Sequence, residues 1–210
     1  MITLNFLSRS VAGLALAASA VGAFAQPVEI YSNVNPAANQ GAIYGTSAEY
    51  GDEISLAGWQ RNLTQFQFDY YSSFSEAAGL RVRFYKMDGA QSGASVPTPG
   101  SLLFESAKFD IKAGYQTVNL DFTANLLNIP ADRIAWTVQF DGIGGNESAG
   151  ILLYDNPTVG SSGNDFWLRN GSIWSLSQVG NGKIANFNAK AIAVPEPSTD
   201  RKSTRLNSSH

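Results

Sequence analysis

The sequence predicts an all-β protein, a two-sheet antiparallel β-sandwich of jelly-roll type. Three observations carry that expectation. Apolar and polar residues alternate at period two over short runs, breaker clusters recur between those runs, and no 12-residue window beyond the first 25 residues shows a helical stripe.

In chain order, the first extended runs are 28–32 and 53–56. Phe66, Phe68 and Tyr70 then alternate with Gln65, Gln67 and Asp69, and Leu80, Val82 and Phe84 alternate with Arg81, Arg83 and Tyr85. Each run therefore has one oily and one wet face, as a half-buried strand requires. A breaker-rich stretch from Asp88-Gly89 to Pro99-Gly100 leads into a run at 102–111, which stops at Ala113-Gly114. Val118, Leu120 and Phe122 alternate with Asn119 and Asp121, a short turn follows near 123–127, and Ile134, Trp136, Val138 and Phe140 alternate with Thr137 and Gln139. This register points Trp136 inward. Glycine-rich breakers at 141–146, 160–163 and 180–182 separate further runs at 150–154, 166–169, 172–176 and 184–192. Asn170-Gly171, between two aromatic runs, is the strongest hairpin signal, because both central residues of a type I′ turn need positive φ. About ten short strands with regular turns fit two sheets packed face to face, and favour a jelly roll over an immunoglobulin-like arrangement.

The two ends read differently from this body. Arg9 precedes an apolar run of small residues ending in Ala23-Phe24-Ala25, which has the A-x-A form of a signal peptidase site, with cleavage before Gln26. The apolar stretch is shorter than the roughly 20 residues that span a bilayer. Segment 1–25 is thus expected to be a cleaved export signal, and 26–193 the sandwich domain. The final 200–210 (DRKSTRLNSSH) resembles read-through from a sequencing adapter or vector junction and lies outside the predicted domain.

Between those ends, 26–199 holds ten basic and sixteen acidic residues once Arg9, Arg201, Lys202, Arg205 and Asp200 are taken from the 14 and 17 of the whole chain. The resulting charge of −6 argues against nucleic acid and against an anionic membrane as partner. There is no cysteine, and the one histidine is His210. Ser-His-Asp and Cys-His nucleophile systems, and zinc sites built on those ligands, therefore have no components within 26–199. A glycosidase needs only two carboxyl groups, which leaves a carboxylate glycoside hydrolase as the lesser alternative: the adjacent Asp52 and Glu53 fall on opposite faces of a strand, whereas Glu147, Asp155 and Asp165 lie in loops. The expectation is accordingly not an enzyme. Calcium, which takes oxygen ligands from flexible loops, has candidate ligands in Asp141, Asn146 and Glu147 of one glycine-rich loop and in Asp155 and Asp165 flanking another. Turn-forming Asx roles are the favoured account of those residues, and no other cofactor is expected. Trp59, Tyr85, Tyr154, Trp167 and Trp174 are candidates for stacking on sugar rings in a lectin-like carbohydrate-binding module, against a competing role in the core.

The last run is followed by Val194-Pro195-Glu196-Pro197-Ser198-Thr199. Two prolines around one residue fix φ, remove two backbone donors and favour an extended, unpaired conformation suited to a peptidase groove. These residues, at the end of an exported glycine-rich β domain, closely resemble the motif of the PEP-CTERM sorting signal of Gram-negative, exopolysaccharide-producing bacteria. The resemblance assigns recognition to Val194, Pro195, Glu196 and Pro197. It implies processing by a membrane peptidase of the exosortase type, and placement at the cell surface or in an extracellular matrix of exopolysaccharide or biofilm. In that family an apolar membrane stretch and an arginine cluster follow the motif, whereas here 200–210 follows it. The implied sorting therefore applies to a parent protein that continues differently.

Overall fold

Alternation of side chains is what builds both layers. The computed structural model describes residues 26–35, 41–45, 48–73, 78–91, 96–143, 146–154, 156–180 and 184–196. Within them the strands are β1 (Val28–Asn33), β2 (Gly41–Gly45), β3 (Glu49–Ser55), β4 (Asn62–Ser72), β5 (Gly79–Lys86), β6 (Leu102–Glu105), β7 (Phe109–Asp110), β8 (Gly114–Asp121), β9 (Leu127–Asn128), β10 (Arg133–Asp141), β11 (Ala149–Leu153), β12 (Ser161–Ser162), β13 (Phe166–Asn170), β14 (Ile173–Ser177) and β15 (Ala189–Val194). The described chain holds no helix.

Two antiparallel sheets result. The first runs β1-β15-β4-β11-β2, with β8 and β9 also pairing with β4. The second runs β14-β13-β3-β10-β5-β6, with β12 on β3 and β7 on β5. Successive long strands change layer, β4, β8, β11 and β15 lying in the first sheet and β3, β5, β10 and β13 in the second, an alternation that a jelly roll shares.

Inward residues of the two sheets meet in an aromatic core. Phe66 and Phe68 of β4 face Trp136 of β10 at 5.1 and 5.3 Å between ring centroids, and Phe66 meets Phe84 of β5 edge-on at 4.8 Å. Such tilted and edge-on contacts each add about 0.5–1.5 kcal/mol beyond area burial. Trp136 is fully buried, as its register with Ile134 and Val138 requires. A bulge between Glu29 and Tyr31 lets the consecutive Ile30 and Tyr31 both be buried.

Several segments differ from the sequence expectation: β3 begins at Glu49 and not at 53, β9 and β12 are two-residue strands in an expected turn and breaker, and three others differ for a local reason. Residues 41–45 form β2, an edge strand against β11, although Gly41 and Gly45 bound too short an apolar run to signal one. The run at 102–111 breaks at Ser106, whose backbone N–H donates to Val82 O while its hydroxyl accepts from Val82 N–H, ending the β6 ladder. At 184–192 the strand begins only at Ala189, because the preceding backbone pairs with the end of β11, Asn188 N–H donating to Leu152 O and Tyr154 N–H to Asn186 O, and side-chain amides tie that crossing to its neighbours. Asn188 Oδ1 accepts from Asp69 N–H, Asn188 Nδ2 donates to Asn33 O, and Asn33 Nδ2 donates to Phe187 O.

Asp52 and Glu53 do point to opposite faces, and it is Asp52 that enters the core, with no solvent exposure. Ser162 Oγ lies 2.8 Å from both carboxyl oxygens, and Phe187 N–H donates to one of them at 3.1 Å. Burial raises the Asp52 pKa well above the ordinary aspartate value, more than these bonds lower it. The folded chain therefore keeps a proton there that the unfolded chain releases above about pH 4, and stability falls as pH climbs from that point towards the raised value. Asp52→Asn, which can still accept both bonds, is expected to be the more stable protein at pH 8 and to lose part of this slope. Urea denaturation from pH 4 to 8 measures the difference, and parallel wild-type and variant curves would refute the account.

Candidate functional site

The second sheet curls so that its outward face is concave. Trp174 on β14 and Tyr85 on β5 are separated in the sheet by β13, β3 and β10, a path on the order of 19 Å at ordinary strand spacing, yet their rings stack edge-on at 5.6 Å. Gly51 makes the bend possible. A Cβ there would collide with the carbonyl oxygen of Trp136 and the Cα of Thr137 on the neighbouring strand. Inside the curl, Tyr85, Ala135 and Trp167 are buried with Met87, Trp174 and Leu176 against them, forming a small second core outside the main one.

Beside this second core lies a buried carboxylate, Glu49, whose residue is 5% exposed. Its Oε1 accepts from Thr137 Oγ1 at 2.6 Å and from Tyr85 OH at 2.8 Å. Its Oε2 lies 3.1 Å from Nη1 of both Arg83 and Arg169. Arg83 also bonds to Glu105 through Nε and to Gln139 Oε1 through Nη1 at 3.0 Å, and Arg81 reaches Glu105 at 3.6 Å. Arg169 donates from Nε to Gly171 O at 3.1 Å, from Nη1 to Tyr85 OH at 3.3 Å, and sits 5.4 Å from the Trp174 ring centroid. Burial pulls the Arg83 pKa down, but the bond to Glu105 and the nearby Glu49 outweigh it and hold the guanidinium charged. Burial and the Glu49 charge raise the Tyr85 pKa, so the phenol remains a donor.

Above these groups opens a polar cleft of about 460 Å³, lined by Glu49, Arg83, Gln139, Arg169, Asn170 and Gly171 among others. It lies towards the end of the sheet where Glu49 pairs with Gln139 and Arg169. The hairpin that closes it turns one residue later than Asn170-Gly171 suggests. Asn170 pairs with Ile173, leaving Gly171 and Ser172 as the central residues, with Gly171 at φ 61°.

The aromatic candidates for sugar stacking do not share a groove. Trp167 is 0% exposed, with its indole N–H 3.3 Å from Glu53 Oε2, and Tyr85 and Tyr154 are buried as well. Their rings serve packing and leave no open face. Trp174 is half-buried against Tyr85 and Arg169, and Trp59, 67% exposed, stands in the loop between β3 and β4.

The calcium candidates are scattered. Asp141 faces Lys108 at 4.0 Å, Asn146 and Glu147 are exposed, and Asp165 is half-buried, its pKa raised by that burial. Asp155 lies outside the described residues, among which no three carboxylate, histidine or cysteine side chains converge.

Of the terminal segments, Ala23, Ala25 and Pro197 lie outside the described residues, while Gln26 is exposed just before β1. Val194 belongs to β15 and pairs with Asn62, so this residue of the motif is part of the sheet and not free of it. Pro195 and Glu196 follow the strand unpaired, Glu196 exposed. No helix of the described residues is long and apolar enough to cross a membrane.

Sequence reasoning did not single out Glu49, Arg83, Gln139 or Arg169. Arg83 and Gln139 signal only a position on the wet face of a strand, which ordinary solvated residues share, Arg169 only a place in the run at 166–169, and Glu49 lies ahead of the run expected at 53–56. No protein-family profile matches the chain, and no curated protein or solved structure matches it.

Removing Glu49 strands Arg83 in the curl with Glu105 as its remaining carboxylate. Glu49→Ala is expected to cost about 3 kcal/mol in urea denaturation, within the range for breaking a buried pair. A loss below about 0.5 kcal/mol would mean that the cluster behaves as a solvated surface pair.

Proposed function

We propose that this chain is an exported, non-catalytic β-sandwich of the cell surface or extracellular matrix of a Gram-negative bacterium, released from its leader after Ala25 and sorted through Val194, Pro195, Glu196 and Pro197. The observation that carries this reading is the layout of the termini. β1 pairs with β15, Val28 opposite Ala193, so the start of the first strand and the end of the last lie side by side at one end of the sandwich. Pro195 has no backbone N–H to extend the ladder with β4, and Glu196 beyond it is open to solvent. A signal peptidase and an exosortase-type enzyme, the two partners that the sequence implies, could both act there without opening the fold.

The non-catalytic part rests on the cleft chemistry. Glu49 has both carboxyl oxygens engaged by four donors, and Glu105 is held by Arg83 and Arg81. Neither is placed as a free acid or base for glycoside cleavage.

A second reading, a carbohydrate-binding module, is favoured by one specific feature. Strand register sets the cleft near Glu49 and Gln139, whereas Val28, Asn62, Arg133 and Ala193 mark the opposite end of the sandwich. A protein held by its C-terminal segment would present the cleft outward. This module would hold its ligand by polar groups and not by the buried rings of Tyr85, Tyr154 and Trp167.

Mass spectrometry of the protein recovered from surface and matrix fractions of its native host is expected to give an N-terminus at Gln26. Recovery solely from the cytoplasm with residues 1–25 still attached would falsify the export reading.

A further inference from the structure

We infer that the cleft on the concave face of the second sheet is a binding site for a carboxylated sugar, its carboxylate held between the guanidinium groups of Arg83 and Arg169. The inference concerns the cleft and does not depend on how the protein is sorted.

Both arginines are fixed before any ligand arrives. Their Nη1 atoms converge on one oxygen of Glu49 at 3.1 Å each, and their Nε atoms are held by Glu105 and by Gly171 O. Among the described residues nothing accepts from Nη2 of either arginine. A guanidinium immobilised through two of its nitrogens, on a residue that lines the cleft, needs little ordering to bind a planar anion, which lowers the entropic cost of recognition. The local charge also has the right sign. Arg81, Arg83 and Arg169 stand against Glu49 and Glu105, leaving one positive charge in excess on a chain whose formal charge is −3.

The rest of the lining selects a sugar over a peptide. Asn170 brings a primary amide to the cleft, and an amide both donates and accepts, as vicinal hydroxyls require, while Gln139 lines it with its Oε1 already on Arg83. No large apolar side chain lines it to anchor a peptide residue, and the cleft exposes no strand edge for backbone pairing, since β3 is paired on both sides by β10 and β13. Its volume of about 460 Å³ falls within the ~300–1,000 Å³ of small-molecule sites.

Affinity electrophoresis of the protein in gels containing polygalacturonate, dextran or poly-L-glutamate tests the inference. Net negative charge makes indiscriminate attraction to a polyanion unfavourable, so retardation reports a site. Wild type is expected to be retarded by polygalacturonate alone. Arg169→Gln should weaken that binding about tenfold, the loss of one charge-assisted pair. Arg133→Gln, which removes the same charge from the same sheet outside the cleft, should leave it unchanged. Asn170→Ala, at the exposed hairpin tip, gives an independent cleft variant should Arg169→Gln fail to fold, and should weaken binding severalfold. The inference is overturned by absence of retardation in polygalacturonate, by equal retardation in dextran or poly-L-glutamate, or by equal weakening in the Arg133 and cleft variants.

Discussion

One carboxylate ties together four strands of the second sheet. Glu49 on β3 receives Tyr85 and Arg83 from β5, Thr137 from β10 and Arg169 from β13. A buried ion pair of this kind contributes little net stability against an apolar replacement of equal shape, because desolvation offsets most of the attraction. What it supplies is geometry. With every donor directed at one group, the curl of the sheet and the position of its last hairpin have a single solution, and leaving any partner unpaired in that setting is costly.

The curl in turn explains why this sandwich has an outer face that is not simply wet. An antiparallel sheet with one side on the core ordinarily shows polar residues to water on the other. Here β13 and β14 fold back, so Trp167 is buried opposite Gly51 on the outward side, and Arg169 lies over Trp174. The absence of a side chain at Gly51 leaves room for the close approach of β10, where a Cβ would meet Trp136 O and Thr137. Beside them the arginines converge on Glu49 and leave a polar hollow, while the main core is packed by the ring contacts of Phe66, Phe68, Phe84 and Trp136.

Much of the architecture was legible in the residues. The alternation at 65–70, 80–85 and 134–140 assigns strand, face and the inward direction of Trp136, because a period of two admits no other placement of an oily side against a core. Where strand limits differ from the expectation, side-chain hydrogen bonds or a change of backbone partner interrupt the ladder. Ser106 ends one strand and the Asn33-Asn188 exchange delays another, and serines or asparagines give no warning of this, since in most contexts they face water. The aromatic candidates failed as a groove for a related reason: bulk and polarity at one end suit both a ring platform and a core, and burial alone separates them.

The sequence by itself determined the fold class, the faces of the main strands, the lack of imidazole and thiol chemistry from 26 to 199, and the proline lock after Val194. These follow from composition and from neighbours along the chain, where the physics is local. Folding in three dimensions decided which of two adjacent acids enters the core, which arginines converge on Glu49, and that Val28 and Ala193 pair at the end opposite the cleft. Charge compensation and curvature depend on partners of Glu49 as far apart in sequence as 36 and 120 positions, and no pattern along the chain encodes which distant partner will neutralise a given charge.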